Sequence, residues 1–68
     1  MRDWQTVYKD DRQHRVEIVK SVLYDMGMQP VVMDKQVSQH GFGDFEVLVA
    51  PDHVIRAIKT IKEDIKFA

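Results

Sequence analysis

The chain has 68 residues, which is enough for one domain and no more. Ten lysines and arginines stand against eleven aspartates and glutamates, and this mixed charge of −1 offers no electrostatic surface for nucleic acid or acidic membranes. The lack of cysteine excludes disulfides, thiolate metal sites and a cysteine nucleophile. No apolar run approaches the roughly 20 residues that span a bilayer, so we expect a cytoplasmic protein.

The first predicted element is a strand over residues 4–8, which are rich in aromatic and β-branched side chains. Alternation along a strand gives it two candidate core faces, and the sequence does not choose between them. One face carries Trp4, Thr6 and Tyr8, and the other carries Gln5 and Val7.

A helix is predicted next, with Asp10 as its N-cap and Gln13 placed to return the capping bond. Its apolar residues recur at spacings of three and four and form a broad stripe suited to packing on a sheet. Gly27 follows this stripe and is the expected left-handed end of the helix. The stripe consists of Val16, Ile18, Val19, Val22, Leu23 and Met26.

Two strand-like runs follow, over residues 30–33 and 44–49, joined by a polar loop over residues 34–43. Pro30 has no amide hydrogen to donate, so the first run is expected to be peripheral and the second central. In the second run Phe45, Val47 and Val49 share one face, as a half-buried strand requires.

A second helix is predicted from Pro51 and Asp52, which suit a first helical turn. Its apolar residues recur at helical spacing and are expected to face the core. They are Val54, Ala57, Ile58, Ile61 and Ile65, with Ile55 beside them. The last residues, Lys66 to Ala68, are expected to fray.

This order of elements predicts a single α+β domain over residues 1–68. It is a ferredoxin-like βαββα two-layer sandwich that lacks the fourth strand, with both helices on one face of a three-stranded antiparallel or mixed sheet. The crossover joining two parallel strands leaves space for the third strand between them. The outer edge of the first strand is then unpaired, and the sheet face away from the helices is uncovered.

Exposed edges and apolar faces invite association, and a chain of this size buries only about 60% of its unfolded surface. Trp4 and Tyr8 on the edge strand, and Phe42 in the loop, are therefore the candidate partner-binding residues. We expect a homodimer and contacts with a further protein partner, through the strand edge or the open sheet face.

The loop supports a second interpretation, in which it closes over a small molecule or a metal ion. Its candidate residues are Asp34, His40, Gly41, Phe42 and Gly43. A metal site would combine His40 with Asp34 or Asp44, but no two histidines have ligand spacing. The main prediction is therefore no bound metal or cofactor, with a small-ligand or metal sensor using residues 34–43 as the alternative.

Catalysis is not expected. Neither Ser21 nor Ser38 has a candidate general base at a sequence spacing typical of a catalytic motif. Gly41 and Gly43 precede a strand rather than the helix of a phosphate-binding loop. A sheet this small has no evident closed pocket that would exclude water from a reaction. The sequence thus favours a protein that works by binding.

Several stretches of the chain together resemble a known family. They are residues 4–8, Glu17 to Lys20 with Leu23, Met26 to Met28 leading into Val31 and Val32, and Phe42-Gly43 before Glu46-Val47 and Val49 to Pro51. They resemble a family of short bacterial proteins of unknown function, described as prokaryotic signal transducers and placed distantly beside the PII-type nitrogen regulators. The resemblance implies the βαββα fold and a regulatory or binding role. PII-type proteins signal through the loop that corresponds to residues 34–43, which is much shorter here, and no segment matches their phosphate-binding glycines.

Overall fold

The computed structural model describes residues 3–35 and 44–67. In chain order its elements are β1 (Gln5–Asp10), α1 (Gln13–Asp25), β2 (Val31–Asp34), β3 (Phe45–Val49), a 3-10 turn (Pro51–His53) and α2 (Val54–Asp64). The strands lie in the order β1-β3-β2, with β3 antiparallel to both neighbours. The predicted α+β order, with the third strand inserted between the first two, is confirmed.

The core lies between the sheet and the two helices. Side chains from α1, α2 and β3 form one buried cluster, so both helices cover the same face of the sheet, as predicted. Burying one valine, leucine, isoleucine or methionine side chain stabilises the folded state by roughly 1.5–3 kcal/mol. The cluster consists of Val16, Val19, Leu23, Met28, Val47, Val49, Ala57, Ile61 and Ile65.

The end of α1 is fixed by Gly27, whose φ of 89° lies in the left-handed region. The Gly27 amide donates to the Tyr24 carbonyl at 3.0 Å, and the Met28 amide donates to the Leu23 carbonyl at 3.1 Å. This pair of bonds is the Schellman arrangement, and the predicted glycine stop is confirmed. Arg56 of α2 donates to the Met26 carbonyl and ties the two helices together at this end.

The start of α1 differs from the prediction. The N-cap residue is Arg12, and its side chain makes no capping bond. Asp10 is instead the last residue of β1, and its carboxylate accepts the Arg12 amide at 3.0 Å. The predicted capping box is wrong because the strand continues through Asp10 and the helix begins at Gln13.

A β-bulge in β1 changes which side chains face the helices. Thr6 lies opposite Leu48 and Tyr8 lies opposite Val47, so β1 carries one additional residue, Val7, at this point. Val7 and Tyr8 both pack against the core cluster. The predicted alternation is therefore wrong here, since Thr6 and Tyr8 lie on opposite faces of the sheet.

Candidate functional site

The sheet face away from the helices, called the open face below, carries residues from all three strands. Its centre is β3, where Leu48 lies between Thr6 of β1 and Val31 of β2. Glu46, two positions earlier, lies between Lys9 and Met33. Both helices pack on the opposite face, so neither covers these side chains.

Glu46 forms the polar centre of the open face. The Thr6 hydroxyl donates to its carboxylate at 2.6 Å, and the ammonium groups of Lys35 and Lys9 lie 3.4 Å and 4.0 Å from its oxygens. The hydrogen bond from Thr6, followed by the bond and charge of Lys35, holds the pKa of Glu46 below its ordinary value. Although Glu46 is only 8% exposed, its charge is matched in the folded state.

Apolar residues flank this charged centre. Leu48 is buried, and Val31 and Met33 are half-buried on β2. Trp4 is also half-buried and lies just before β1, two positions from Thr6. Association surfaces combine apolar area with polar groups that have partners, and the open face has both, with its paired carboxylate at the centre rather than at the rim.

Tyr8 belongs to a different group of residues, on the helix side of the sheet. Its hydroxyl donates to the Asp10 carboxylate at 2.6 Å, and Arg15 lies 3.7 Å from the same carboxylate oxygen. Burial, with help from the Asp10 contact, raises the pKa of Tyr8 to about 12. The Tyr8 bond and the Arg12 amide lower the pKa of Asp10 to about 2. This pair therefore carries one negative charge at neutral pH, with the phenol protonated.

Phe67, three residues beyond the end of α2, joins this group. Its ring meets the Tyr8 ring edge-on with centroids 6.3 Å apart, and the Arg15 guanidinium lies 5.3 Å from its centroid. The expectation that Phe67 frays is wrong, because these contacts hold it against β1 and α1.

A groove of about 420 Å³ lies between β1 and α2. Ile58 in its wall is 48% exposed, and Ile55, one turn earlier, is 84% exposed. The prediction that Ile58 faces the core is wrong, and Ile55, which the sequence places beside the apolar stripe, is also exposed. The apolar positions of α2 span a wider arc of the helix than one packing face covers. This width was the feature of the sequence that indicated that some of these residues would be exposed. The groove is lined by Val7, Tyr8, Ile58, Ile61 and Lys62.

The predicted ligand loop is described only at its base. Asp34 is exposed at the end of β2, and the Lys35 amide donates to the Asp44 carbonyl at 3.0 Å. The other candidate residues of the loop, His40, Gly41, Phe42 and Gly43, lie outside the described residues, so their roles stay predictions. Within residues 3–35 and 44–67, no three histidine or carboxylate side chains are placed to hold a metal ion. In the same ranges no helix has the length and apolarity to cross a membrane.

Comparison with protein-family models, with curated proteins and with solved structures gives no match for this chain. The candidate site is therefore identified from the geometry of its residues alone. It consists of two separate surfaces, the open face around Glu46 and the groove beside β1.

Proposed function

We propose that this chain is a small, non-enzymatic, cytoplasmic regulatory module that works by binding proteins, and that it forms a homodimer through the open face. The observation that carries the proposal is the composition of that face, where Leu48, Val31 and Met33 surround a carboxylate already matched by Thr6 and two lysines. A second sheet packed there would bury apolar area without leaving Glu46 unpaired. The regulatory role is an inference from the family resemblance.

The edges of the sheet are less suited to pairing two copies. β1 is interrupted by the bulge at Val7, and bulges turn a strand edge away from a flat partner. β2 has only four residues and follows Pro30, and both features are typical of protected edges. These features favour a face-to-face dimer, in which packed sheets lie about 10 Å apart.

The proposal of a non-enzymatic role is supported by the state of the polar groups. Asp10 is occupied by Tyr8, Arg12 and Arg15, and its low pKa makes it a poor base at neutral pH. The Tyr8 phenol stays protonated, because its pKa lies near 12. Ser21 is exposed on α1. The arrangement thus supports stable contacts rather than proton transfer.

Sedimentation equilibrium over a wide concentration range tests the dimer. We expect the wild-type chain to sediment as a dimer, and Met33→Asp to sediment as a monomer with its circular dichroism unchanged. Ile18→Asp is the matched control, because Ile18 is 46% exposed on α1, away from the open face. A wild-type monomer at the highest concentration, or an Met33→Asp dimer as tight as the wild type, would contradict the proposal.

A further inference from the structure

Two independent features meet at the outer side of β1. In the described part of the chain β1 pairs with β3 alone, so the backbone groups on its other side have no strand beside them. The groove between β1 and α2 runs beside the same strand, as its lining includes Val7 and Tyr8. A backbone edge next to an apolar groove is the arrangement that binds an extended segment, because the segment gains main-chain bonds and pockets for alternate side chains.

The groove has an apolar floor. Val7 and Tyr8 are successive residues of β1 that face the same way because of the bulge, and this widens the floor. Ile58 overhangs it from α2 with nearly half of its surface exposed. The bulge interrupts the edge for a long flat strand, so a short segment fits better than the edge of another sheet.

The rim of the groove is cationic. Lys62 lines it and makes no ion pair within residues 3–35 and 44–67. Lys59 lies three residues earlier, on the same side of α2. The nearby carboxylate of Asp10 is already engaged by Tyr8, Arg12 and Arg15. An acidic side chain in the occupant would therefore meet unpaired positive charge.

A second copy of this chain fits the groove poorly. Pairing β1 with its own copy would place the strand Gln5–Asp10 along the groove, beside Lys62. The only acid that β1 could offer in return is Asp10, which is already bonded within its own chain. A second β1 therefore has no free acid to pair with Lys62, and that pairing lacks the charge complementarity that favours an interface.

We propose that the groove between β1 and α2 binds a short extended segment of a different protein, in which apolar residues alternate with acidic ones. This groove is separate from the open face. The inference therefore rests on the proposed function only in assuming that the protein works by binding. The apolar residues enter the groove against Ile58, Val7 and Tyr8, and the acidic residues pair with Lys62.

Selection from a library of displayed random peptides, with the full chain as bait, tests this proposal. We expect the enriched peptides to alternate apolar and acidic residues and to shift the amide signals of Val7, Tyr8 and Lys62 in NMR titrations. Affinity of the best peptide should fall more than about tenfold in Ile58→Asp, as for a central apolar anchor. In Lys62→Glu it should fall about fivefold, as for one rim charge. Lys20→Glu on α1 is the matched control and should bind as the wild type does.

Three results would overturn the proposal. They are no enrichment above an unrelated protein of similar size, enrichment of basic peptides, and equal binding to the wild type and Ile58→Asp. Circular dichroism of Ile58→Asp checks that this half-exposed position tolerates the change. Sedimentation of the same variant separates the two binding sites, because Ile58→Asp should leave the open-face dimer intact and Met33→Asp should leave peptide binding intact.

Discussion

The Thr6 hydroxyl donates a 2.6 Å hydrogen bond to Glu46, joining residues that are 40 positions apart on neighbouring strands. Glu46 is 8% exposed, so its carboxylate has lost most of its contact with water. A buried carboxylate is costly unless hydrogen bonds and opposite charges replace the lost water. Thr6, together with Lys35 and Lys9, supplies that replacement at the centre of the open face.

Thr6→Val tests the value of this bond, since valine keeps the branched shape and removes the hydroxyl. We expect the free energy of unfolding to fall by about 1.5–3 kcal/mol, the range for a hydrogen bond to a charged group. We also expect the pKa of Glu46 to rise, because the Thr6 bond is the largest cause of its depression. Urea denaturation and a carboxyl NMR titration measure the two effects. Thr6→Ser is the control that retains the hydroxyl, and equal losses in both variants would show that the hydrogen bond is not the cause.

Asp10 should make stability depend on pH in the acid range. Its pKa of about 2 in the folded chain lies below the ordinary 3.8, so folding favours the ionised form. The contribution is complete above pH 4 and is lost as the pH falls towards 2. We expect Asp10→Asn to be about 1–2 kcal/mol less stable at pH 7. A pKa difference of one unit between the folded and unfolded chain corresponds to about 1.4 kcal/mol. Screening by water around Asp10 reduces the contribution of its charge to stability.

The measurement is denaturation of Asp10→Asn and the wild type at a series of pH values. The two stabilities should converge as the pH approaches 2. Asp64→Asn, which removes an exposed acid at the end of α2, is the control for the loss of one carboxylate and should leave the stability at pH 7 close to that of the wild type. If the free energies of unfolding of Asp10→Asn and the wild type differ by the same amount at every pH, the loss of stability comes from altered geometry and not from the charge of Asp10.

Gly27→Ala tests the left-handed end of α1. A Cβ at Gly27 would meet the Arg56 guanidinium at 3.8 Å, which is ordinary contact, so the cost comes from the backbone at a φ of 89°. We expect a loss of about 1–2 kcal/mol in the free energy of unfolding. Gly27→Asn should lose less, because asparagine tolerates this conformation. If alanine and asparagine cost the same, the backbone account fails.

Local patterns predicted much of the fold. The alternation of Phe45, Val47 and Val49 identified a strand, Pro30 in the other strand placed it at the centre of the sheet, and Gly27 identified the end of α1. The three-four spacing placed Val16, Val19 and Leu23 in the core. These signals are readable because each depends on residues within one or two turns of each other.

The features that the sequence did not predict depend on distant residues. A bulge adds one residue to a period of two, and nothing in residues 4–8 marks Val7 as the additional one. The contact of Phe67 with Tyr8 and Arg15 joins the end of the chain to its beginning. The exposure of Ile58 depends on how far α2 lies over β1. As a result the open face was predicted in outline, while the groove beside β1 was not.

The strand order also has a consequence for how the chain folds as it is synthesised. β3 is the central strand but the last of the three to be made, and β1 and β2 touch it rather than each other. A growing chain that has reached Asp34 already contains α1 and two strands, yet it has no sheet. Pairing of β1 with β3 joins residues such as Thr6 and Glu46, 40 positions apart, and is slow because a long loop must close before the contact forms. No strand of this sheet can therefore pair until Phe45–Val49 has been synthesised, and until then β1 and β2 have no partner strand.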